Sequence, residues 1–446
     1  MESNNTSGTR VRFAPSPTGK VHIGNIRAAI YNWLYARHTG GRFLLRVEDT
    51  DLERSTPEAI AVLMDCMKWL GLDWDEEVFY QTKNVKRHLE VVDRLLAAGR
   101  AYKVEKTSRD GKTGVVTMFR MPKEGVIEFD DIVKGHMAKK AEDVQDFAIV
   151  RSDGSPIFHI ANVVDDIDQR VTHIIRGDDH VENTFKHIEI FKALGAPVPK
   201  YAHLSMIVNQ QGKPYSKRDG AAFVGEFRDE GYLPEALFNY LLLLGWNPGD
   251  DREVLTREEM VELFDLSKVH VTAAKFDLKK LQWMNGEYIK RMPGDVFLSE
   301  VQSRVSSLAA GAPGHDGAWW SSLCAQLQPR TKFLRDIPDM VRCFVSDDYP
   351  FDAKAVEKRL AKPGVGALLL DLAARFRAVA DWTAPALEAI VKELAQGGGM
   401  GPWVHPVRVA VSGRGEGIGL FEMLELLGRD RTVARMEKAA KTMCPA

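Results

Sequence analysis

The stretch RFAPSPTGKVHIGNIR, residues 12–27, decides the fold of the N-terminal half. The apolar segment at its start runs into a turn stiffened by Pro15 and Pro17, and His22 stands where an amphipathic run begins. This order predicts a strand, a turn and a helix whose N-terminus offers free N–H groups and partial positive charge to a phosphate. A histidine there can stabilise charge on a phosphate oxygen. For the tripeptide HIG taken alone, a histidine that only caps the helix is the favoured interpretation.

Outward from this stretch, apolar residues follow alternating helical and strand periods, which predicts an α/β fold for the first half. The predicted helices are 26–37, 57–70, 85–98 and 181–194, and the predicted strands are 42–47, 171–175 and 203–208. Short β-like pieces separated by turn residues predict an inserted module between residues 101 and 131. The second half is mostly helical, with predicted helices at 233–245, 257–264 and 275–289.

Two breaks rich in Gly and Pro interrupt the helical half. The first, 309–317, is a candidate domain linker, and the second, 397–402, is either a linker or a loop within a helical domain.

The composition is that of a soluble globular protein: 45% of the 446 residues are hydrophobic and 27% are charged. No run approaches the ~18 apolar residues of a membrane span, and the polar N-terminus lacks a signal peptide, so we expect a cytoplasmic protein without membrane attachment. The four cysteines lie far apart, which predicts neither a disulfide framework nor a cysteine zinc site. Sixty Lys and Arg balance 62 Asp and Glu, and this net charge of −2 favours a small-molecule enzyme over a nucleic-acid-binding protein.

Two further segments have functional and plain interpretations. GKPYSKRDG, residues 212–220, is a glycine-flanked basic loop that can close over a polyphosphate, although taken alone it is interpreted as a solvated surface loop. HIANVVDDID, residues 159–168, is interpreted as a solvated acidic turn in preference to a divalent-metal site.

Arginines and carboxylates recur where strands are predicted to end, in RVEDTD and RGDDH. Open α/β sheets bind ligands at the carboxyl ends of their strands. Arg12 and Arg176 are therefore candidates to pair a substrate carboxylate, and Glu48 or Asp51 to accept from an ammonium group. Internal salt bridges at the strand ends are an equal alternative.

Five motifs in one order resemble those of a bacterial-type glutamyl-tRNA synthetase, a class I aminoacyl-tRNA synthetase: RFAPSPTGKVHIG, NWLYARHTGGRFLLRVEDTD, PIFHIANVVDD, VTHIIRGDDH and PYSKRDG. The resemblance continues to residue 431 and covers nearly the whole chain. It implies a Rossmann-type α/β catalytic domain with an inserted acceptor-binding module, followed by all-α stem-contact and anticodon-binding domains. The implied boundaries are 1–98 and 166–228 for the catalytic halves, 99–165 for a shortened insertion, 229–312 for the stem-contact domain and 313–446 for the anticodon-binding domain.

The resemblance also implies the site residues. His22, Gly24 and Lys217 take the catalytic positions. The implied ATP-binding residues are Thr18, Gly19, His22, Gly24, Asn25, Asp179, Tyr215, Ser216, Lys217 and Arg218. The implied glutamate-binding residues are Arg12, Ala14, Ser16, Glu48, Phe158, Asn162 and Arg176.

This sequence departs from the family pattern at three of its positions. Asn25 replaces a histidine, Pro214 replaces the first lysine of the second signature, and Phe158 replaces a tyrosine, which removes a hydrogen bond worth about 1 kcal/mol. Relatives often carry zinc-binding cysteines just after the AY of GRAY, whereas residues 103–125 contain no cysteine here. We therefore expect no structural zinc and no other protein-held metal.

The implied activity is attachment of L-glutamate to the 3′ end of tRNA-Glu through a glutamyl adenylate, with ATP and Mg²⁺, by a monomer. Charging of tRNA-Gln is the alternative within the family, and a non-catalytic tRNA-binding paralogue is the alternative outside it. Because the net charge is near zero, tRNA would need a local basic surface. The candidates for that surface are Lys279, Lys280, Lys290, Arg291 and the tail 429–441. For each cluster a solvated helix face without a ligand is an equal alternative.

Overall fold

The computed structural model describes residues 8–17, 19–51, 55–107, 113–309 and 315–445. Its strands are β1 Arg10–Phe13, β2 Arg42–Val47, β3 Phe79–Tyr80, β4 Ala101–Thr107, β5 Thr113–Phe119, β6 Val126–Asp131, β7 Gly135–Lys140, β8 Phe147–Val150, β9 His173–Gly177, β10 Lys200–Leu204, β11 Ile207–Val208 and β12 Ala274–Lys275. The helices of the first half are α1 Ile23–His38, α2 Pro57–Trp69, α3 Val85–Ala97, α4 Phe158–Asp168, α5 Val181–Ala193, α6 Val224–Asp229, α7 Pro234–Leu243, α8 Arg257–Leu263 and α9 Leu278–Arg291. The later helices are α10 Gly294–Ala309, α11 Gly317–Leu327, α12 Ile337–Val345, α13 Ala353–Arg359, α14 Val365–Arg377, α15 Ala384–Ala395, α16 Gly401–Ser412, α17 Leu420–Leu427 and α18 Arg429–Thr442.

Internal contacts divide the chain into two units, residues 1–281 and 282–446. The first unit contains all the described strands and the second is helical, which confirms the predicted α/β half followed by a helical half. None of the helices within the described ranges is long and apolar enough to cross a bilayer. The five-part domain division stays a prediction.

Parallel strands carry the site. The strands β1, β2 and β3 pair in parallel, and so do β9, β10 and β6, with β7 antiparallel at the edge. Thr172 N–H donates to the Arg10 carbonyl at 2.9 Å, so β1 lies beside the start of β9. The central helix α1 is buried over most of its surface because it packs against β1, β2, β9 and α7.

Short strands occupy the stretch for which an inserted module is predicted, and its being an insertion stays a prediction. The strands β4, β5 and β8 form an antiparallel sheet of their own. The hairpin β6–β7 instead belongs to the sheet that contains β9 and β10, which it joins through the pairing of Asp131 with Tyr201. Asp131 therefore stands where the module meets the strands that carry the site.

Two predicted strands are shifted. The strand predicted at 203–208 is two strands, β10 and β11, separated by Ser205 and Met206. The buried guanidinium of Arg27 donates to the Ser205 carbonyl, which takes this carbonyl out of sheet pairing. The strand predicted at 171–175 begins at His173 and continues to Gly177.

Helices α10 to α18 lie in the second unit, around a core of leucine, valine and phenylalanine side chains. The break at 397–402 falls between α15 and α16, where Gln396 and Gly397 both have positive φ, so it is a loop between two helices of this unit. Residues 309–317 also fall within this unit, and residues 310–314 lie outside the described part.

Candidate active site

A cavity of about 620 Å³ lies at the carboxyl ends of β1, β9 and β10, beside the N-terminus of α1. The predicted site residues that line it are Arg12, Ala14, Ser16, His22, Gly24, Asn25, Glu48, Phe158, Asn162, Arg176, Asp179 and Tyr215. One cavity thus brings together every residue that the resemblance assigned to glutamate. The predicted residues that do not line it are Gly19, Ser216, Lys217 and Arg218. Thr18 lies outside the described residues.

His22 caps α1 and also lines the cavity, so both interpretations of its position hold. Its Nδ1 accepts a hydrogen bond from Gly24 N–H at 3.1 Å, which leaves the proton of a neutral imidazole on Nε2. Burial lowers the pKa of His22 more than a hydrogen bond with the Tyr215 backbone raises it. A Cβ on Gly24 would approach Nδ1 to 3.2 Å, so any larger residue would crowd the His22 ring.

The acidic run 159–168 is helix α4, and the predicted solvated turn is wrong. Asp165 and Asp166 are only 0% and 1% exposed. Both side chains have polar partners that lie far from them along the chain. Asp165 accepts from His88 Nε2 at 2.7 Å, which fixes α4 against α3. A buried carboxylate is stable only with such partners, and their distance along the chain hides them from sequence patterns.

The internal salt-bridge interpretation holds for Arg12. Asp166 Oδ1 accepts from Arg12 Nε at 3.0 Å and from Arg46 Nη1 at 2.6 Å. Arg46 Nη2 donates to Asn162 Oδ1 at 2.6 Å, and Asn162 Nδ2 donates to Glu48 Oε1 at 2.7 Å. This chain of hydrogen bonds fixes Asn162 and Glu48 in the cavity wall. Sequence reasoning gave no role to Asp166 or Arg46, although both stood within quoted motifs.

Glu48 is the carboxylate that the cavity offers to an ammonium group. It is 7% exposed and lines the cavity, whereas Asp51 does not. Burial raises the pKa of Glu48, and the charges of Arg46 and Arg12 lower it by less. Because Glu48 is buried, water no longer solvates its carboxylate. A cationic group of a ligand would stabilise the ionised form of Glu48 in place of that water.

Arg176 is a buried cation without a carboxylate partner among the described residues. Its Nη2 donates to Thr184 Oγ1 at 2.7 Å and to the His180 carbonyl at 3.3 Å, and its Nε donates to His203 Nε2 at 3.4 Å. Burial lowers its pKa to about 10, so it stays charged at neutral pH. Since its partners are all neutral, the guanidinium retains its capacity to pair an anionic ligand.

Aromatic rings form the wall around Phe158. Its ring centroid lies 5.5, 5.7 and 5.6 Å from those of His159, His180 and His187. Burial lowers the pKa of His159 to about 4 and lowers that of His187 well below its usual value, so both are neutral at pH 7. His180 and Asn183 also line the cavity and were missed. The motif RGDDH contained His180 and was the signal that could have found it.

The loop 212–220 is only partly in the cavity. Pro214 and Tyr215 line it, whereas Lys217 is 66% exposed and its Nζ lies 3.7 Å from Glu226 Oε1. Lys20, which sequence reasoning missed, pairs with the same oxygen at 3.2 Å. Lys217 must leave this carboxylate to reach a ligand in the cavity.

Within the tail 429–441, Arg431 and Arg435 are bound to other groups of the protein, whereas Lys438 and Lys441 are exposed. Arg435 is 7% exposed and donates to the carbonyls of Cys343 and Val411, and it shares the carboxylate of Asp347 with Arg431. These arginines stabilise the packing of α18 within the second unit. Lys280 is paired with Glu253 in the first unit.

In the part of the chain that the structure describes, no group of three or more His, Cys, Asp or Glu side chains is arranged so that it could hold a metal ion. The free cysteines Cys66, Cys324 and Cys343 are buried, and burial raises the pKa of each thiol to about 11. These thiols are therefore protonated at neutral pH.

The fold and the cavity define an α/β ligand-binding protein whose chain continues into a helical unit. The family described as tRNA synthetases class I (E and Q), catalytic domain, matches residues 8–112 and 104–283, and an anticodon binding domain family matches residues 278–440. The chain belongs to this class I tRNA synthetase family, which implies ATP as a substrate.

Two solved structures are similar over nearly the full length. The crystal structure of a glutamate tRNA ligase from Elizabethkingia meningosepticum, in complex with its amino acid, has a TM-score of 0.86 and 28% identity, covering 98% of this chain and 100% of that chain. The glutamate-tRNA synthetase from Elizabethkingia anophelis has a TM-score of 0.83, with the same 28% identity and the same 98% and 100% coverage.

Proposed function

We propose that this chain attaches L-glutamate to the 3′ end of tRNA-Glu, using ATP and a glutamyl-adenylate intermediate. The observation that carries the proposal is Arg176, a buried guanidinium in the cavity wall with neutral partners only. Glu48 in the same cavity is a buried carboxylate that suits the substrate ammonium group. The similarity to a glutamate tRNA ligase and a glutamate-tRNA synthetase supports the same substrate.

The cavity contains charged groups that suit those of glutamate, which has two carboxylates and one ammonium group. Three arginines line it, and Arg27 donates to the Leu244 and Ser205 carbonyls, which leaves Arg12 and Arg176 as the candidates for the carboxylates. Glu48 is the buried carboxylate of the lining. Arg12 uses Nε and Nη2 on Asp166, and no residue in the described ranges accepts from its Nη1. We assign Arg12 and Arg176 to the substrate carboxylates, with Phe158 and Asn162 positioning the chain between them.

The first chemical step is in-line attack of the substrate α-carboxylate on the α-phosphorus of ATP, which releases pyrophosphate. A hydroxyl of the terminal ribose of tRNA then attacks the carbonyl of the adenylate, and AMP leaves. Neither step needs a side-chain nucleophile, because positioning and charge stabilisation suffice. His22 and the N-terminus of α1 contribute partial positive charge, and Lys217 contributes a full charge once it leaves Glu226.

Mg²⁺ belongs to the proposal as the counter-ion of the ATP phosphates. Such an ion is bound mainly by phosphates and water, with one or two carboxylates. Asp179, which is exposed at the cavity, is the carboxylate among the proposed ATP-binding residues and would suit that role. The proposal also includes a monomer, which light scattering on the purified protein tests.

The test is ATP–pyrophosphate exchange with glutamate, in the presence and absence of tRNA. We expect exchange that requires glutamate and tRNA, and a fall in kcat of on the order of a hundredfold for Lys217→Ala, the range for one charged transition-state contact. Lys200→Ala is the matched control, because Lys200 is exposed at the opposite, amino end of β10. Absence of exchange would support the non-catalytic paralogue, and an unchanged kcat in Lys217→Ala would remove the role of that lysine.

The tRNA preference is tested by charging purified tRNA-Glu and tRNA-Gln transcripts with labelled glutamate. We expect charging of tRNA-Glu. Equal charging of both transcripts would indicate a non-discriminating enzyme, and charging of tRNA-Gln alone would refute the stated substrate.

A further inference from the structure

Behind Arg176 lies a buried carboxylate–imidazole pair that comes from two different parts of the chain. Asp131 ends β6 of the inserted module and is 3% exposed, and His203 on β10 is 0% exposed. Asp131 Oδ2 accepts from His203 Nδ1 at 2.5 Å. On the far side of the imidazole, His203 Nε2 lies 3.4 Å from Arg176 Nε and 3.0 Å from Thr184 Oγ1.

The other carboxylate oxygen of Asp131, Oδ1, also accepts hydrogen bonds. It accepts from the backbone N–H groups of Val133, Lys134 and His203, at 3.0, 2.9 and 3.2 Å. Burial raises the pKa of Asp131, but the hydrogen bonds from His203 and Lys134 outweigh it and lower this pKa below its usual value, so the carboxylate is ionised. Burial, together with the charges of Arg176 and Lys134, lowers the pKa of His203 more than Asp131 raises it, so the imidazole is neutral.

These contacts determine the tautomer of His203. An ionised carboxylate only accepts hydrogen bonds, so the single proton of the neutral imidazole lies on Nδ1. Nε2 then presents a lone pair to Arg176, whose guanidinium only donates. The opposite tautomer would place a second N–H against Arg176 Nε, and two donors repel each other.

We propose that Asp131 and His203 are positioning residues: through the tautomer of His203 they orient Arg176 for the substrate carboxylate. The proposal rests on the proposed function, in which Arg176 binds glutamate. It gives the inserted module a share in the amino-acid site, because Asp131 is the residue by which β6 pairs with β10.

Asp131→Asn tests the tautomer directly. Asn Oδ1 can still accept from the three backbone N–H groups, but its amide donates to His203 Nδ1 and forces the proton onto Nε2. We expect the KM for glutamate to rise by on the order of ten- to a hundredfold, the range for one hydrogen bond to a charged group, while the KM for ATP stays within about twofold. Asp130→Asn is the matched control, since Asp130 is the preceding residue and its side chain is 89% exposed.

The double variant Asp131→Asn with His203→Gln separates positioning from a merely structural role. Glutamine has no tautomers and can turn its carbonyl oxygen toward Arg176 whichever residue occupies position 131. We expect Asp131→Asn to raise the KM for glutamate by less than about threefold in the His203→Gln background. An increase as large as in the wild-type background would overturn the proposal.

A spectroscopic measurement reads the tautomer in the wild-type protein itself, and a variant serves only to assign the signal. With ¹⁵N-labelled histidine, the two-bond ¹H–¹⁵N spectrum distinguishes the tautomers, and His203→Gln identifies the resonance. We expect the proton on Nδ1, and a proton on Nε2 would overturn the proposal. Failure of the proposed function is a different result: the wild-type enzyme would then show no glutamate-dependent exchange, whereas failure of this proposal leaves exchange intact and the tautomer wrong.

Discussion

Asp166→Asn barely changes the size of the side chain, yet the site geometry predicts a large loss in the free energy of unfolding. Arg12 and Arg46 both form a salt bridge with the carboxylate of Asp166. The two arginines are only 4% and 0% exposed. Asparagine keeps one acceptor but places an amide donor where Oδ2 now lies 3.4 Å from Arg12 Nη2. Removing one partner of a buried ion pair leaves an uncompensated charge, so we expect a loss of about 3–5 kcal/mol.

Hydrogen exchange measured by mass spectrometry suits this prediction, because it reports opening free energies segment by segment in a protein of two units. The loss should appear in peptides of β1, β2 and α4. The matched control is Asp168→Asn on the same helix, whose side chain is 31% exposed and pairs with Arg87 at the surface. Exposed pairs contribute about 0–1 kcal/mol, so the control should barely change exchange.

The pH dependence has a definite sign. Burial raises the pKa of Asp166, but Arg12 and Arg46 lower it by more, so the folded pKa lies below the unfolded value. The stabilisation is therefore complete above the unfolded pKa and is lost as the pH falls through the folded pKa. Equal opening free energies for Asp166→Asn and Asp168→Asn at pH 7 would refute the reasoning.

Three further predictions concern other parts of the chain. Gly24→Ala places a Cβ 3.2 Å from His22 Nδ1. Thermal denaturation should therefore show a loss of about 1 kcal/mol in the free energy of unfolding, the value of one helix cap, and ATP–pyrophosphate exchange should slow. Full exchange activity would mean that catalysis does not depend on the position of the His22 ring. Arg435→Lys removes hydrogen bonds to buried carbonyls, so it should lower the free energy of unfolding of the second unit by a few kcal/mol. The tRNA affinity per folded molecule should stay unchanged. A loss of tRNA affinity without a loss of stability would instead indicate that Arg435 contacts tRNA. Because residues 103–125 contain no cysteine, prolonged chelation should leave the melting temperature of the enzyme unchanged, and stoichiometric zinc in elemental analysis would contradict this.

Local pattern predicted most elements of the catalytic half. The helices of residues 23–38 and 57–69 and the strand 42–47 follow from apolar periodicity and from glycine stops, since both signals lie within one element. The resemblance then placed seven glutamate-site residues that the structure brings to one cavity. Their roles stay predictions until the exchange experiments are done.

Pattern failed where a residue's partner is distant. The acidic run 159–168 resembles a solvated turn because three of its last four residues are acidic, yet α4 buries two of them. Lys217 belongs to a motif that indicates a phosphate contact, yet its Nζ lies beside Glu226, nine positions later. The tail arginines resemble a basic face, but Arg435 is taken up by Asp347 and by backbone carbonyls.

The sequence by itself determined the fold class, the order of the motifs and the family, because these depend on local spacing and on residue identity. Only the tertiary structure decided which charges neutralise each other and which remain available. Arg12 and Asp166 are 154 residues apart, and Asp131 and His203 are 72 apart. A hydrogen bond between groups so far apart leaves no periodic signal along the chain, yet inside a buried site it determines that Arg12 is partly neutralised while Arg176 keeps its charge for a ligand.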